Sequence, residues 1–169
     1  GAAWVFRGEE PVLAAAALPL PGAHNARNLC ATLAAIEALD IDASTLAMHA
    51  SSFRALPHRL QALGERDGRL YVNDSISTTP HASLAALEHY HGRRVAILVG
   101  GFDRGLDWAA FVDGVRTAPP VAIVCMGDNG PRIAALLRAA ALPNCSISEA
   151  PTLEAATQAA EALLGEGTD

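Results

Sequence analysis

Over the first 22 positions the apolar residues come in short extended runs, not at helical spacing. Ala3-Trp4-Val5-Phe6 is one such piece, and Pro11 to Leu20 is a second, closed by Pro19, Pro21 and Gly22. Prolines at these places exclude a helix interior and make poor material for a central strand. From His24 the pattern becomes a single stripe. Leu29, Leu33, Ile36 and Leu39 recur at intervals of four, three and three, which predicts a helix. Asn25 is placed to act as its N-cap, and a second short helix is expected from Ser44 to Phe53.

At Pro57 the character changes. Leu60-Gln61-Ala62-Leu63 and Leu70-Tyr71-Val72 flank Arg66-Asp67-Gly68-Arg69, and an Asp-Gly pair between apolar runs predicts a hairpin. Helix and strand then alternate: helix 80–90, strand 95–99, helix 108–116, strand 121–125, helix 131–141, short strand 146–147, helix 152–164. Ile133, Leu136, Leu137 and Ala140 mark one buried helical face. Val95–Val99 and Val121–Val124 are unbroken apolar runs, as expected of parallel strands covered on both sides. The order predicts an α/β fold with right-handed crossovers and a doubly wound, Rossmann-like sheet. A domain boundary falls near 50–56, because the front segment has no parallel strands of its own.

Length and composition narrow this picture. The chain has 169 residues, 51% hydrophobic and 18% charged, with a net charge of −6. That composition favours a packed globule over a disordered tail, and no apolar run reaches the roughly 20 residues of a membrane span. The acidic balance gives no footprint for nucleic acid. All 12 basic residues are arginine, so any cationic chemistry must use a guanidinium. Cys30, Cys125 and Cys145 are too few and too scattered for a disulfide framework or a zinc site, so a cytoplasmic location is expected.

Four segments carry candidate chemistry: Gly22-Ala23-His24-Asn25-Ala26-Arg27-Asn28, Leu56-Pro57-His58-Arg59, Asn73-Asp74-Ser75-Ile76-Ser77-Thr78-Thr79-Pro80 and Gly100-Gly101-Phe102-Asp103-Arg104-Gly105-Leu106-Asp107-Trp108. Each has a plain structural explanation when taken singly. The first can be a capped helix start and the second a surface arginine before a strand. The third supplies a cap for a helix beginning at Pro80, and the fourth is a glycine turn after a strand. Capping explains one hydroxyl of the third segment, but not Asp74 and three further hydroxyls. The last two segments lead into helices, whose first turns carry unpaired N–H donors suited to carboxylate or phosphate. The chain has neither a dinucleotide fingerprint nor a GxxxxGK[ST] phosphate loop. Asp128-Asn129-Gly130-Pro131 reads as turn chemistry.

In this order and spacing the four segments resemble the Mur ligases of peptidoglycan synthesis, and within them the glutamate-adding (MurD-type) branch; the resemblance spans essentially the whole chain. It implies a three-domain, ATP-dependent amide ligase working with Mg2+ in the cytoplasm as a monomer. In that family the carboxylate of the UDP-sugar peptide is phosphorylated, and the amine of the incoming amino acid attacks the acyl phosphate. By this resemblance, residues 1–52 are the C-terminal remnant of the central ATP-binding domain. Residues 53–169 are the Rossmann-like C-terminal domain, truncated at its end.

Carried over by position, Asn25 and Asn28 fall where the family contacts adenine. Arg59 falls at the arginine that reaches ribose and phosphates, and Asp74 at the acid that binds the ribose hydroxyls. Thr78 and Arg104 match the positions that grip the glutamate carboxylates; a guanidinium can do so with a bidentate fork. The implied partners are UDP-N-acetylmuramoyl-L-alanine and glutamate, with no nucleic acid and no membrane insertion.

The family's first loop usually reads D-S-K-A-T-N, so Ile76 stands where a lysine is common and Thr79 where asparagine is. The contact made by that lysine is not carried over to Ile76. The D-S-I-S-T-T-P form is similar to a branch that uses L-glutamate, and D versus L stays open on these residues. The family's catalytic histidine, its carbamylated lysine and a late serine-containing segment have no match in the chain. The expectation is therefore an inactive fragment with no catalytic residue and no metal ligand of its own. Two alternatives stand beside it: another ligase of the superfamily, such as a folylpolyglutamate synthase, or a stand-alone, non-catalytic Rossmann-like binding module.

Overall fold

In the computed structural model, which describes residues 4–20 and 22–165, the chain divides into two compact units, Gly1–Gln61 and Ala62–Asp169. In the first, β1 (Trp4–Arg7) pairs antiparallel with β2 (Glu10–Ala14), with a register break between Val5 and Phe6. A two-stranded ribbon has only edge strands, which is why Pro11 is tolerated inside β2. A 3-10 turn over Ala15–Ala17 ends the extended run, so the segment expected to stay extended to Leu20 does not. Ala3 and Pro21 of that reading lie outside the described residues.

α1 (Ala23–Glu37) starts two residues earlier than its expected cap. Gly22, at φ 95°, is the N-cap, and Asn25 is the third helical residue, its N–H donating to the Gly22 carbonyl at 3.0 Å. Asn25 therefore faces the core with Leu29 and Leu33 instead of capping. The stripe also stops at Ile36: Leu39 lies past the helix end and is 72% exposed, because the chain turns through Asp40 at φ 59°. α2 (Ala43–Ala47) is capped by Asp42, whose carboxylate accepts from the Ser44 N–H at 3.0 Å, and continues into a 3-10 turn over Met48–Ser52. Val5, Leu18, Leu29, Leu33, Ala43, Ala47 and Ala50 make the core of this unit.

The second unit opens with the expected hairpin. β3 (Gln61–Arg66) and β4 (Arg69–Asn73) pair through Asp67 and Gly68, both at positive φ (52° and 70°), as a type I′ turn requires. There follow α3 (Pro80–His89), β5 (Ala96–Gly100), α4 (Ala109–Thr117), β6 (Ala122–Met126), α5 (Gly130–Ala139), β7 (Ser146–Ala150) and α6 (Leu153–Leu164). β5, β6 and β7 form a parallel sheet.

Period-2 alternation splits the apolar runs between two faces. Ile97, Val99, Ile123 and Cys125 pack with Leu84 and Leu87 of α3, Phe111 and Val115 of α4, and Ile133 and Leu137 of α5. Ala96, Leu98, Val124 and Met126 pack with Ala156 and Ala160 of α6. Phe111, Ile123, Ile133 and Leu137 are fully buried, and each such side chain contributes about 1.5–3 kcal/mol. Leu136, expected on the buried face of α5, is 40% exposed, and Ala134 takes its place.

The α/β expectation holds, with helices on both faces. Strand order nevertheless runs β5-β6-β7 without reversing, so the crevice that opens at a reversal is not formed between the described strands. The Tyr71 hydroxyl donates to Glu161 Oε1 at 2.5 Å, tying β4 to α6. Arg94 donates to the Leu164 carbonyl at 2.7 Å, and Arg69 to that of Gly165, which satisfies carbonyls that a helix end leaves open. No helix among the described residues is long and apolar enough to cross a membrane.

Candidate functional site

Three of the six candidate residues lie in the first unit. Asn25 and Asn28 stand one turn apart on α1, and the Asn28 side-chain amide donates to Asn25 Oδ1 at 3.5 Å. Asn25 is 5% exposed, whereas Asn28 is open to solvent. Gly22 leaves room for the His24 ring: a Cβ at Gly22 would stand 2.5 Å from His24 Cε1. Arg59 is half-buried between two residues in the left-handed region, His58 at φ 66° and Leu60 at φ 42°, conformations uncommon outside glycine. Leu60 is buried, and the His58 N–H donates to Gln61 Oε1 at 2.9 Å, so both flanks of Arg59 are held.

The other three lie in the second unit. Asp74 and Thr78 belong to the loop between β4 and α3. The Ser77 hydroxyl donates to Asp74 Oδ2 at 2.5 Å and the Ser77 N–H to the Asp74 carbonyl at 2.9 Å. The carboxylate is thereby oriented from its own loop. Thr79 is the N-cap of α3, its hydroxyl accepting from the Ala82 N–H at 3.3 Å, which leaves the exposed Thr78 outside the capping role. β4 pairs with β3 and not with the parallel sheet. Of the two candidate loops in this unit, the second leaves the parallel sheet, at the end of β5.

That second loop carries Arg104 at the carboxyl end of β5. Its base is a close backbone approach: Gly100 sits at φ 126°, and a Cβ there would lie 2.0 Å from the Met126 carbonyl oxygen. The Gly101 N–H donates to that same oxygen at 2.9 Å, and the Asn129 N–H to the Gly101 carbonyl at 3.0 Å. At its far end Trp108 is 5% exposed and stands edge-on to Phe111 with ring centroids 5.2 Å apart. Between these anchors Asp103 Oδ1 accepts from the Gly105 N–H at 2.8 Å and from Arg132 at 3.1 Å. The Arg104 side chain is exposed and has no hydrogen bond or ion pair among the described residues. An arginine left open on a braced loop is suited to an anionic ligand.

Asn129 and Arg132 fall outside the four segments with candidate chemistry, and within the third segment it is the structure that gives Ser77 its part in orienting Asp74. Asn129 and Arg132 had been read only as turn and helix, although their i, i+3 spacing lets the two side chains meet. Among the described residues no group of three or more His, Cys, Asp or Glu is placed to hold a metal.

Residues 58–168 match the family model described as Mur ligase, glutamate ligase domain. The chain is 57% identical over 163 residues to the UDP-N-acetylmuramoyl-L-alanine–L-glutamate ligase of Xanthomonas euvesicatoria, an alignment covering 96% of this chain and 35% of that protein. It is 36% identical to the protein of the same name from Micromonospora, over 96% and 36% of the two chains. This chain thus spans about a third of the length of the curated relatives it matches. Among solved structures, folylpolyglutamate synthase of Mycobacterium tuberculosis, complexed with ADP, superimposes with a TM-score of 0.64 at 20% identity, covering 91% of this chain and 35% of that one. UDP-N-acetylmuramate-alanine ligase MurC of Thermotoga maritima superimposes with a TM-score of 0.54 at 19% identity, over 79% of this chain and 31% of that one; both likenesses concern the fold. By the extent of the family match and the identity to these relatives, the chain belongs to the Mur ligase family.

Proposed function

We propose that this chain is the nucleotide-contacting and amino-acid-binding part of an ATP-dependent ligase that joins L-glutamate to UDP-N-acetylmuramoyl-L-alanine in peptidoglycan synthesis, in the cytoplasm and as a monomer. Residues 1–52 act as the end of the central ATP-binding domain and 53–169 as the C-terminal domain. ATP supplies the phosphoryl group that activates the sugar-peptide carboxylate, and Mg2+ accompanies its phosphates. This chain's residues bind and orient. The exposed Asn28 offers its amide to the adenine edge, steadied by the buried Asn25, whose Oδ1 accepts from it, and Arg59 reaches ribose and phosphate. Asp74, oriented by Ser77, accepts from ribose hydroxyls. Thr78 and Arg104 hold the glutamate carboxylates.

The observation that carries this reading is the Arg104 guanidinium, exposed and unpaired among the described residues on a loop anchored at both ends. L-glutamate is favoured over D-glutamate because the relatives carry it in their names and because the 74–80 loop reads D-S-I-S-T-T-P. In the full-length enzyme, Arg104→Ala is expected to raise the KM for glutamate by about tenfold or more, as loss of a charge-assisted contact does, while the KM for ATP moves much less. Equal effects on both constants would refute a carboxylate-gripping role.

A further inference from the structure

Arg132 stands at the third position of α5, inside the first helical turn, where the helix dipole favours negative charge. A cation there works against the helix, so its contacts lie elsewhere. Its Nη2 donates to Asp103 Oδ1 at 3.1 Å and to the Leu106 carbonyl at 2.9 Å, and its Nε donates to Asn129 Oδ1 at 3.0 Å. Asn129 is 4% exposed, so the guanidinium is aimed from a buried, hydrogen-bonded base. The same Asp103 oxygen accepts from the Gly105 N–H. Arg132 therefore ties the residue before Arg104 directly, the residue after it through that shared oxygen, and Leu106 beyond.

We propose that Arg132 is a positioning residue for amino-acid recognition: it neutralises Asp103 and braces the 103–106 loop, so that Arg104 stays available to the substrate carboxylate. The proposal rests on the reading of Arg104 given above. Asp103 is the carboxylate adjacent to Arg104 in sequence. Without Arg132 it would be the internal competitor for that guanidinium, since opposite charges within a few ångströms attract even in a partly exposed site. One planar fork reaches three acceptors here, which a lysine ammonium on the same helix turn would not reproduce.

The test uses the full-length enzyme with Arg104→Ala, Arg132→Gln and the double variant Arg132→Gln/Asp103→Asn. Arg132→Gln is expected to raise the KM for glutamate by about tenfold, the scale of a lost charge-assisted contact, with kcat and the KM for ATP within about twofold of wild type. Adding Asp103→Asn, which removes the competing charge, should recover at least about threefold of that loss. A merely structural role predicts no recovery, and that result would overturn the proposal. An unchanged glutamate KM in Arg132→Gln, with the constant raised in Arg104→Ala, overturns this proposal alone. An unchanged constant in Arg104→Ala overturns the carboxylate reading and this proposal with it. Should Arg132→Gln melt below the assay temperature, Arg132→Lys keeps the charge but loses the fork. It is expected to raise the glutamate KM by about threefold, and a wild-type value would count against the proposal.

Discussion

Cys125, on the central strand β6, is 1% exposed. Burial first, and the Glu149 carboxylate second, push its thiol up from an ordinary value near 9 to about 12. The folded chain therefore keeps a proton that the unfolded chain releases above pH 9. The contribution to stability is complete below that pH and is lost as pH climbs through 12. Denaturant unfolding should show stability falling between pH 9 and pH 11 by at most about 1.4 kcal/mol per pH unit from this group. The fall should be shallower in Cys125→Ala; an identical slope in that variant would show that the thiol plays no part. The apolar run before Cys125 already placed it in a covered strand, unlike Cys30, which is exposed; the depth of its burial was not legible. That depth comes from the cover supplied by α4 and α5, a tertiary fact. Asn25 shows the same limit. Its residue type suits a helix cap, but the positive φ available to Gly22 moved the helix start forward and turned Asn25 into the core. The Arg104 position, by contrast, was legible because a glycine pair after an apolar strand marks a strand exit whatever surrounds it.

At the scale of elements, the loop after β5 depends on how closely it approaches the loop after β6. Gly100 at φ 126° has no room for a Cβ, which would meet the Met126 carbonyl oxygen at 2.0 Å, and a Cβ at Gly127 would meet Gly101 Cα at 2.8 Å. Gly100→Ala combines a backbone conformation disfavoured for alanine with a clash against main chain, and should destabilise by about 3 kcal/mol or more. A thermal or denaturant unfolding curve of the chain reads this directly; a loss below about 1 kcal/mol would mean that the two loops are not held so tightly. The glycines were visible in sequence as a turn, but not as the contact between two loops. Strand β7 was seen only as Ser146-Ile147, whereas it runs to Ala150. Among the described strands it pairs with β6 alone, and its Ser-Ile-Ser-Glu-Ala alternation fits that place at the end of the described sheet, without the continuous apolar signal of β6.

For the whole molecule, the family match beginning at residue 58 and the division into units at Gln61 and Ala62 both fall just after Pro57, where the sequence changes character. The α/β pattern after that point was legible because buried parallel strands announce themselves as short apolar runs. The front unit was less so, since a bulged two-stranded ribbon and a 3-10 turn leave weak periodic signals. The family was legible through four spaced segments taken together, each of which has a structural explanation when taken singly. The chain covers 35% of a relative's length, so the proposed reaction is tested in the full-length enzyme. The direct test is ligation by that enzyme of UDP-N-acetylmuramoyl-L-alanine with L-glutamate and, separately, with D-glutamate in the presence of ATP and Mg2+. The account predicts ADP release and amide formation with L-glutamate at a kcat/KM at least about a hundredfold above that for the D isomer, as a site built on paired carboxylate contacts discriminates. Preference for D-glutamate, or no amide from either isomer, would contradict it.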